Sequence, residues 1–314
     1  MPIRDDARPG DGPPITRREL LRGILLVAAA LGLPAPLLAR TGAPDEARLR
    51  AWVRSVRASG AAGADVPLGR TAAAVGLLAV DARAPYVAAT LEQYIREGGD
   101  PARVEPLTLS LTHFDCVTLV ESCLAVARVA RRHAPPTWGA FGREVERMRY
   151  RDGKREGYLS RLHYFSEWIH DNARRGLVRP LGQELGGVPD RRPLRFMSAH
   201  RASYPALTDP RLFEELRAME RSLDGATRWV VPTDRISAVS DRIRTGDVLA
   251  FATSIPGLDV THTALAFRDD GGVLRVLHAP LSGGVVQLSG VTLPEYVAAL
   301  RRATGILIAR PLMG

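Results

Sequence analysis

Residues Phe114 to Arg131 read F-D-C-V-T-L-V-E-S-C-L-A-V-A-R-V-A-R. Val120, Cys123, Leu124 and Ala127 recur at i, i+3, i+4 and i+7, which makes one apolar stripe and predicts a helix over Val117 to Arg131. Asp115 stands where an N-cap acceptor belongs. The thiol of Cys116 then sits at the first turn, where unpaired N–H groups and the positive end of the helix dipole favour thiolate, the nucleophilic form. Cys123, flanked by Leu119, Val120, Leu124 and Ala127, reads as an inert core cysteine. Helical spacing holds the two cysteines about 10.5 Å apart along the axis, beyond the roughly 7 Å a disulfide tolerates.

A base for that thiol is offered far downstream. Thr261 to Phe267 reads T-H-T-A-L-A-F, then comes R-D-D-G-G, then V-L-R-V-L-H ending at His278, the pattern of two strands joined by a tight turn. A three-residue turn over Asp269, Asp270 and Gly271, with Gly271 left-handed, places His262 directly across from His278. Their Cβ atoms would then lie about 4.5–5.5 Å apart on one face. A two-residue turn would put the rings on opposite faces. Cysteine at a helix start, a histidine to take its proton and a second polar group to fix the tautomer of the first are the parts of a thiol hydrolase.

Other chemistries find less support. The seven histidines show no ligand spacing along one element, and there is no H-E-x-x-H, no C-x-x-C and no phosphate-binding glycine loop, so no metal site is expected. The formal charge of +9 comes from 42 arginines and a single lysine, Lys154, spread without a block of like charge, which argues for a solvated surface over a nucleic-acid stripe. With 46% apolar and 25% charged residues, the 314-residue chain can bury a full core, and two cysteines exclude a disulfide framework.

Thr16 to Arg22, T-R-R-E-L-L-R, precedes an uncharged run from Gly23 to Ala39, which resembles a twin-arginine export signal cleaved before Arg40. Pro34 and Pro36 interrupt the run, so no stable membrane span is expected once the leader is removed. The remaining chain would work in the periplasm. Helical patterns follow at Asp45 to Val56 and Thr71 to Leu78, alternation at Leu107, Leu109 and Leu111 suggests a strand, and a helix should end near Gly176. Leu177 to Arg195 reads as a long connection, and the last third carries strands at 246–251, 261–267, 273–278, 285–288 and 305–309. The expected organisation is α+β: a leader over 1–39, an N-terminal helical extension over 40–75, and one hydrolase domain over 76–314, with the nucleophile helix packed on an antiparallel sheet.

F-D-C-V-T-L-V-E-S (Phe114–Ser122), with A-P-Y at Ala84 to Tyr86 and H-T-A-L-A-F followed by L-H-A, resembles the NlpC-type papain-like cysteine hydrolases of bacterial cell-wall metabolism. More narrowly, S-R-L-H-Y-F-S-E-W-I (Ser160–Ile169), M-S-A-H (Met197–His200), P-T-D at Pro232 and G-L-D-V-T-H (Gly257–His262) resemble the N-acetylmuramoyl-L-alanine amidase-like branch. The resemblance implies Cys116 as nucleophile, His262 as base and His278 as orienter, without a cofactor. It implies cleavage of the amide between N-acetylmuramic acid and L-alanine in a muropeptide or peptidoglycan fragment; related branches cut the D-γ-glutamyl to diaminopimelate bond. A wall-binding protein without catalysis and an acyltransferase are further readings of the same fold. Tyr86 is expected to assist the oxyanion, while Arg161, His163, Ser198, His200 and Tyr204 are candidates for holding substrate, arginine being suited to a carboxylate by its planar fork. Phe165 and Trp168 read as core, and Glu121 as a helix-face residue.

Overall fold

Two strands with almost no polar face set the architecture. Val248–Thr253 and Ala303–Pro311 are buried along most of their length, so both sides of the sheet they form must be covered. The computed structural model describes residues 42–280 and 284–314; the expected leader lies outside these residues. The strands are β1 (Val178–Pro180), β2 (Val188–Asp190), β3 (Arg228–Pro232), β4 (Val248–Thr253), β5 (Val260–Arg268), β6 (Leu274–His278), β7 (Gln287–Leu288) and β8 (Ala303–Pro311). They form one sheet in the order β2-β3-β8-β4-β5-β6-β7, with β1 also paired to β8, and every ladder is antiparallel. The protein is a mixed α/β structure built on this sheet.

The helices of seven residues or more are α1 (Gly42–Ala58), α2 (Leu68–Asp81), α3 (Cys116–Arg131), α4 (Trp138–Arg149), α5 (Phe165–Arg174), α6 (Pro210–Ser222) and α7 (Leu293–Ala299). One face of the sheet, with Val248, Ala250, Leu265, Leu277 and Leu307, packs against α1, α2 and α3 through Leu49, Val53, Val75, Val120 and Leu124. The opposite face, with Leu249, Phe251, Ala264, Val276 and Ile308, packs against Leu293 and Val297 of α7. A third cluster gathers Tyr158, Tyr164, Phe196 and Leu216 around α6.

The segment expected as an N-terminal extension shares the main core, and the boundary expected at residue 75 falls inside α2. The backbone of α2 meets the start of β4 where a Cβ on Gly246 would stand 1.8 Å from the Gly69 carbonyl oxygen. Gly246 also has φ +84°, so both its conformation and its neighbour require glycine. Asp45 in α1, 2% exposed, accepts the Leu111 N–H at 2.6 Å, which ties this helix to the approach to Cys116.

Two expectations of local structure are corrected. Residues 107–111 form no strand. Their leucines pack on the main core, but the backbone is satisfied by side chains: Arg149 donates to the Thr108 carbonyl at 2.7 Å and Arg48 to that of Leu111 at 3.0 Å. The stretch 177–195 is not a plain connection, because it contributes β1 and β2, each three residues long and too short to show a period.

Candidate active site

The helix α3 begins at Cys116, one residue before the apolar pattern predicts. Its start is fixed by a reciprocal cap: Asp115 Oδ1 accepts the Thr118 N–H at 2.7 Å, while the Asp115 N–H donates to Thr118 Oγ1 at 2.9 Å. Cys116 is half-buried and Cys123 fully buried, and both thiols are free. The thiolate expected from the helix dipole is not the resting form. Burial, and next the carboxylate of Asp115, push the Cys116 thiol up to about 11, although the N–H and hydroxyl of Thr263 pull the other way. The Thr263 hydroxyl lies against the sulfur without a hydrogen bond of regular geometry.

The hairpin of β5 and β6 carries both imidazoles on one face, in a register that differs from the expected one. The turn has three residues, as expected, but they are Asp270, Gly271 and Gly272: the Gly272 N–H donates to the Asp269 carbonyl at 2.9 Å and the Asp269 N–H to that of Val273 at 3.0 Å. Gly272, not Gly271, takes the left-handed conformation, at φ +78°. Leu265 therefore pairs with Leu277, and His262 stands diagonal to His278 instead of directly opposite. The diagonal suits the rings. Nε2 of His262 and Nδ1 of His278 are 2.9 Å apart, and the rings meet edge to face at 77°.

Around this pair the walls are aromatic. Phe251, the β4 partner of His262, stacks on it with centroids 5.7 Å apart, and Tyr296 of α7 lies edge-on to His278 at 5.1 Å. Burial, then the neighbouring His278, lowers His262 to about 3, and burial lowers His278 to about 4, so both rings are neutral near pH 7. Nδ1 of His262 and Nε2 of His278 are buried without a hydrogen-bond partner. Cys116, on the other side, touches Thr263, the residue next to His262.

Tyr86 belongs to the same place. Its backbone bridges to Phe114, and Val87 donates to the Phe114 carbonyl at 2.9 Å. Its hydroxyl is held protonated by burial and then by the Cys116 sulfur and the Asp115 carboxylate. The other candidates gather elsewhere, around Tyr158 and α6, and each is engaged within the protein. Arg161 is buried and paired with Glu92, with Glu105 at 3.5 Å. His163 Nε2 meets the Tyr158 carbonyl at 2.9 Å and His200 Nδ1 the Phe196 carbonyl at 2.7 Å. Ser198 donates to Glu220 and to the Arg195 carbonyl, and Tyr204 packs half-buried against the cluster that contains Tyr158. The expected free fork at Arg161 is thus replaced by a buried ion pair. Phe165 and Trp168 are core, stacked at 4.9 Å. Among the described residues no three His, Cys, Asp or Glu side chains converge as a metal site, and no helix is long and apolar enough to cross a membrane.

The family model for N-acetylmuramoyl-L-alanine amidase-like proteins matches residues 82–306, which contain every residue named in this constellation. The chain belongs to the N-acetylmuramoyl-L-alanine amidase-like family. Its fold is similar to that of an N-acetylmuramoyl-L-alanine amidase from Bacteroides uniformis ATCC 8492, with TM-score 0.70 and 31% identity over 78% of this chain and 99% of that one. A Bacteroides fragilis structure provisionally called a xylanase is similar at TM-score 0.67 and 34% identity, over 75% of this chain and 98% of that one. A Legionella pneumophila str. Philadelphia 1 protein shares the fold at TM-score 0.62 with 17% identity, over 85% of this chain and 94% of its own. No curated protein matches the sequence.

Sequence reasoning missed Thr263 and Tyr296. Strand alternation turns Thr263 away from the histidine face, which hid its contact with the thiol. Tyr296 follows a readable helix start, T-L-P-E from Thr292, but nothing local says that this helix covers His278.

Proposed function

We propose that this protein is a cysteine amidase of the bacterial cell wall, hydrolysing the amide between N-acetylmuramic acid and L-alanine through a thioester, on an NlpC-type papain-like fold. One observation carries the reading: adjacent residues of β5 serve the two groups, His262 spending Nε2 on His278 and keeping a buried, unpartnered Nδ1, and Thr263 touching Cys116. Family membership supplies the substrate class, and the amidase name of the Bacteroides uniformis neighbour supports the bond.

The chemistry starts from a neutral pair. Nδ1 of His262 takes the thiol proton as the sulfur attacks the lactyl carbonyl, so no standing thiolate is required. The N–H of Cys116 lies at a helix start where the backbone leaves N–H groups unpaired, and together with the protonated Tyr86 hydroxyl it donates to the developing oxyanion. The imidazolium returns its proton to the departing L-alanine amine. Water, deprotonated by His262, then opens the muramoyl thioester. Arg161, His163, Ser198, His200 and Tyr204 brace the loops around Tyr158 and α6. Export by the leader over 1–39 would deliver the enzyme to the periplasm, where such fragments occur.

A sugar-cleaving activity, as the Bacteroides fragilis name suggests for that protein, normally needs two carboxylates flanking the bond. Asp115, the carboxylate beside Cys116, is committed to the helix cap. Mass spectrometry of a defined muropeptide tests the reading. Release of the intact stem peptide is the expected result; a sugar still carrying its first two amino acids would mean an endopeptidase, and binding without any product a wall-binding protein.

A further inference from the structure

Nδ1 of His278 has two neighbours. Besides Nε2 of His262 at 2.9 Å, the hydroxyl of Tyr296 lies 3.2 Å away. A neutral imidazole presents one N–H and one bare nitrogen, so the identity of Nδ1 decides the whole relay. If Nδ1 carried the proton, that single hydrogen would be shared between two acceptors, and the Tyr296 O–H would have no acceptor among the described residues. If Nδ1 is bare, both the phenol O–H and the His262 Nε2–H find it. The second arrangement satisfies both of these donors and leaves only the Nε2–H of His278 unmet, whereas the first leaves the phenol O–H and the Nδ1–H of His262 unmet, in a pocket where His262 and His278 are 6% and 2% exposed.

The position of the phenol is itself well determined. Tyr296 sits in α7, whose start is locked by a reciprocal cap between Thr292 and Glu295, and its ring packs on Phe251 at 5.3 Å as well as on His278. Burial and the nearby Cys116 sulfur keep it a phenol and therefore able to donate.

We propose that Tyr296 is a positioning residue for the base: its O–H donates to Nδ1 of His278, holds that nitrogen as an acceptor, keeps the proton of His262 on Nε2, and so leaves Nδ1 of His262 bare for the thiol proton. This rests on the Cys116–His262 reading given above. Without the phenol, His278 is free to protonate Nδ1 and donate towards His262, which moves the His262 proton to Nδ1 and disables the base.

The test is Tyr296→Phe in the whole protein, which keeps the ring and its packing. Nitrogen NMR of the imidazoles at neutral pH reports which nitrogen of each ring is protonated, and a defined muropeptide gives kcat and KM. The parent is expected to show bare Nδ1 on both rings; the variant is expected to gain a population with Nδ1 of His278 protonated. Its kcat should fall roughly three- to tenfold, the worth of one hydrogen bond, with KM unchanged. An identical nitrogen pattern in parent and variant overturns the proposal, as does a changed pattern with unchanged kcat. If the parent cleaves no muropeptide, the proposed function fails, and the nitrogen pattern alone still decides the role of Tyr296.

Discussion

His262 and His278 come from adjacent strands and meet at 2.9 Å through Nε2 and Nδ1, leaving Nδ1 of His262 as a buried nitrogen with no partner. Direct opposition would have brought the Cβ atoms closest; the diagonal register uses the length of the rings instead. On the proposed mechanism this free nitrogen is the one that takes the thiol proton, and the first prediction follows from it.

On the proposed mechanism the proton passes from a neutral thiol to a neutral imidazole, which behaves differently from a standing ion pair. The base must be unprotonated, so activity is retained as pH falls through 6.5 and declines only towards about 3, where His262 gains its proton. The thiol titrates near 11, so alkylation of Cys116 in the folded protein should be slow at pH 7 and climb steadily towards high pH. Iodoacetamide labelling followed by peptide mapping, with kcat/KM measured over the same range, checks both. Fast, pH-independent labelling between pH 5 and 8 would contradict the neutral pair.

The same histidines link stability to acidity. Unfolded, each titrates near 6.5, whereas in the fold they are lowered to about 3 and about 4, so below 6.5 the unfolded chain binds more protons. Their contribution to stability is therefore full above 6.5 and drains as pH falls from there to about 3. Urea midpoints measured across this window should fall with pH, and His278→Gln should flatten the slope.

Glu121 lies on the nucleophile helix, 1% exposed, and accepts from Arg149 Nε at 2.7 Å and from Trp168 Nε1 at 3.2 Å. It thereby joins α3 to α4 and α5. Glu121→Ala leaves a buried guanidinium uncompensated and should cost about 3–5 kcal/mol, read from chemical unfolding. A loss below 1 kcal/mol would mean that Arg149 finds another partner or water.

Asp45→Ala removes the acceptor of the Leu111 N–H, which is worth about 1–3 kcal/mol when left unmet in a buried place. Because the segment from Ser110 to Asp115 leads directly into Cys116, muropeptide turnover should fall further than the fraction unfolded accounts for. Turnover per folded molecule, with the folded fraction taken from circular dichroism, separates the two effects.

The legible parts of the sequence were those whose cause is local. The cap at Asp115, the apolar stripe of α3 and the alternation of β5 and β6 each act within a few residues, and each could be read directly. The turn was misplaced by one residue because Gly271 and Gly272 are both able to take positive φ, and the register of the flanking strands decides between them. The alternating leucines at 107–111 all join the main core, but no pattern along the chain tells whether a neighbouring strand exists. Arg161 and Ser198 looked available for substrate since their partners, Glu92 and Glu220, are distant in sequence. Tyr296 was invisible for the same reason: its role depends on where α7 lands on the sheet.

The most direct test of the central claim is to digest a defined muropeptide with the parent, Cys116→Ala and His262→Ala, and to measure the intact mass of each protein during turnover. The account predicts a muramoyl adduct on Cys116 of the parent, free stem peptide in solution, and for both variants neither adduct nor product above a loss of several orders of magnitude. A Cys116→Ala protein that releases the stem peptide as fast as the parent would contradict it.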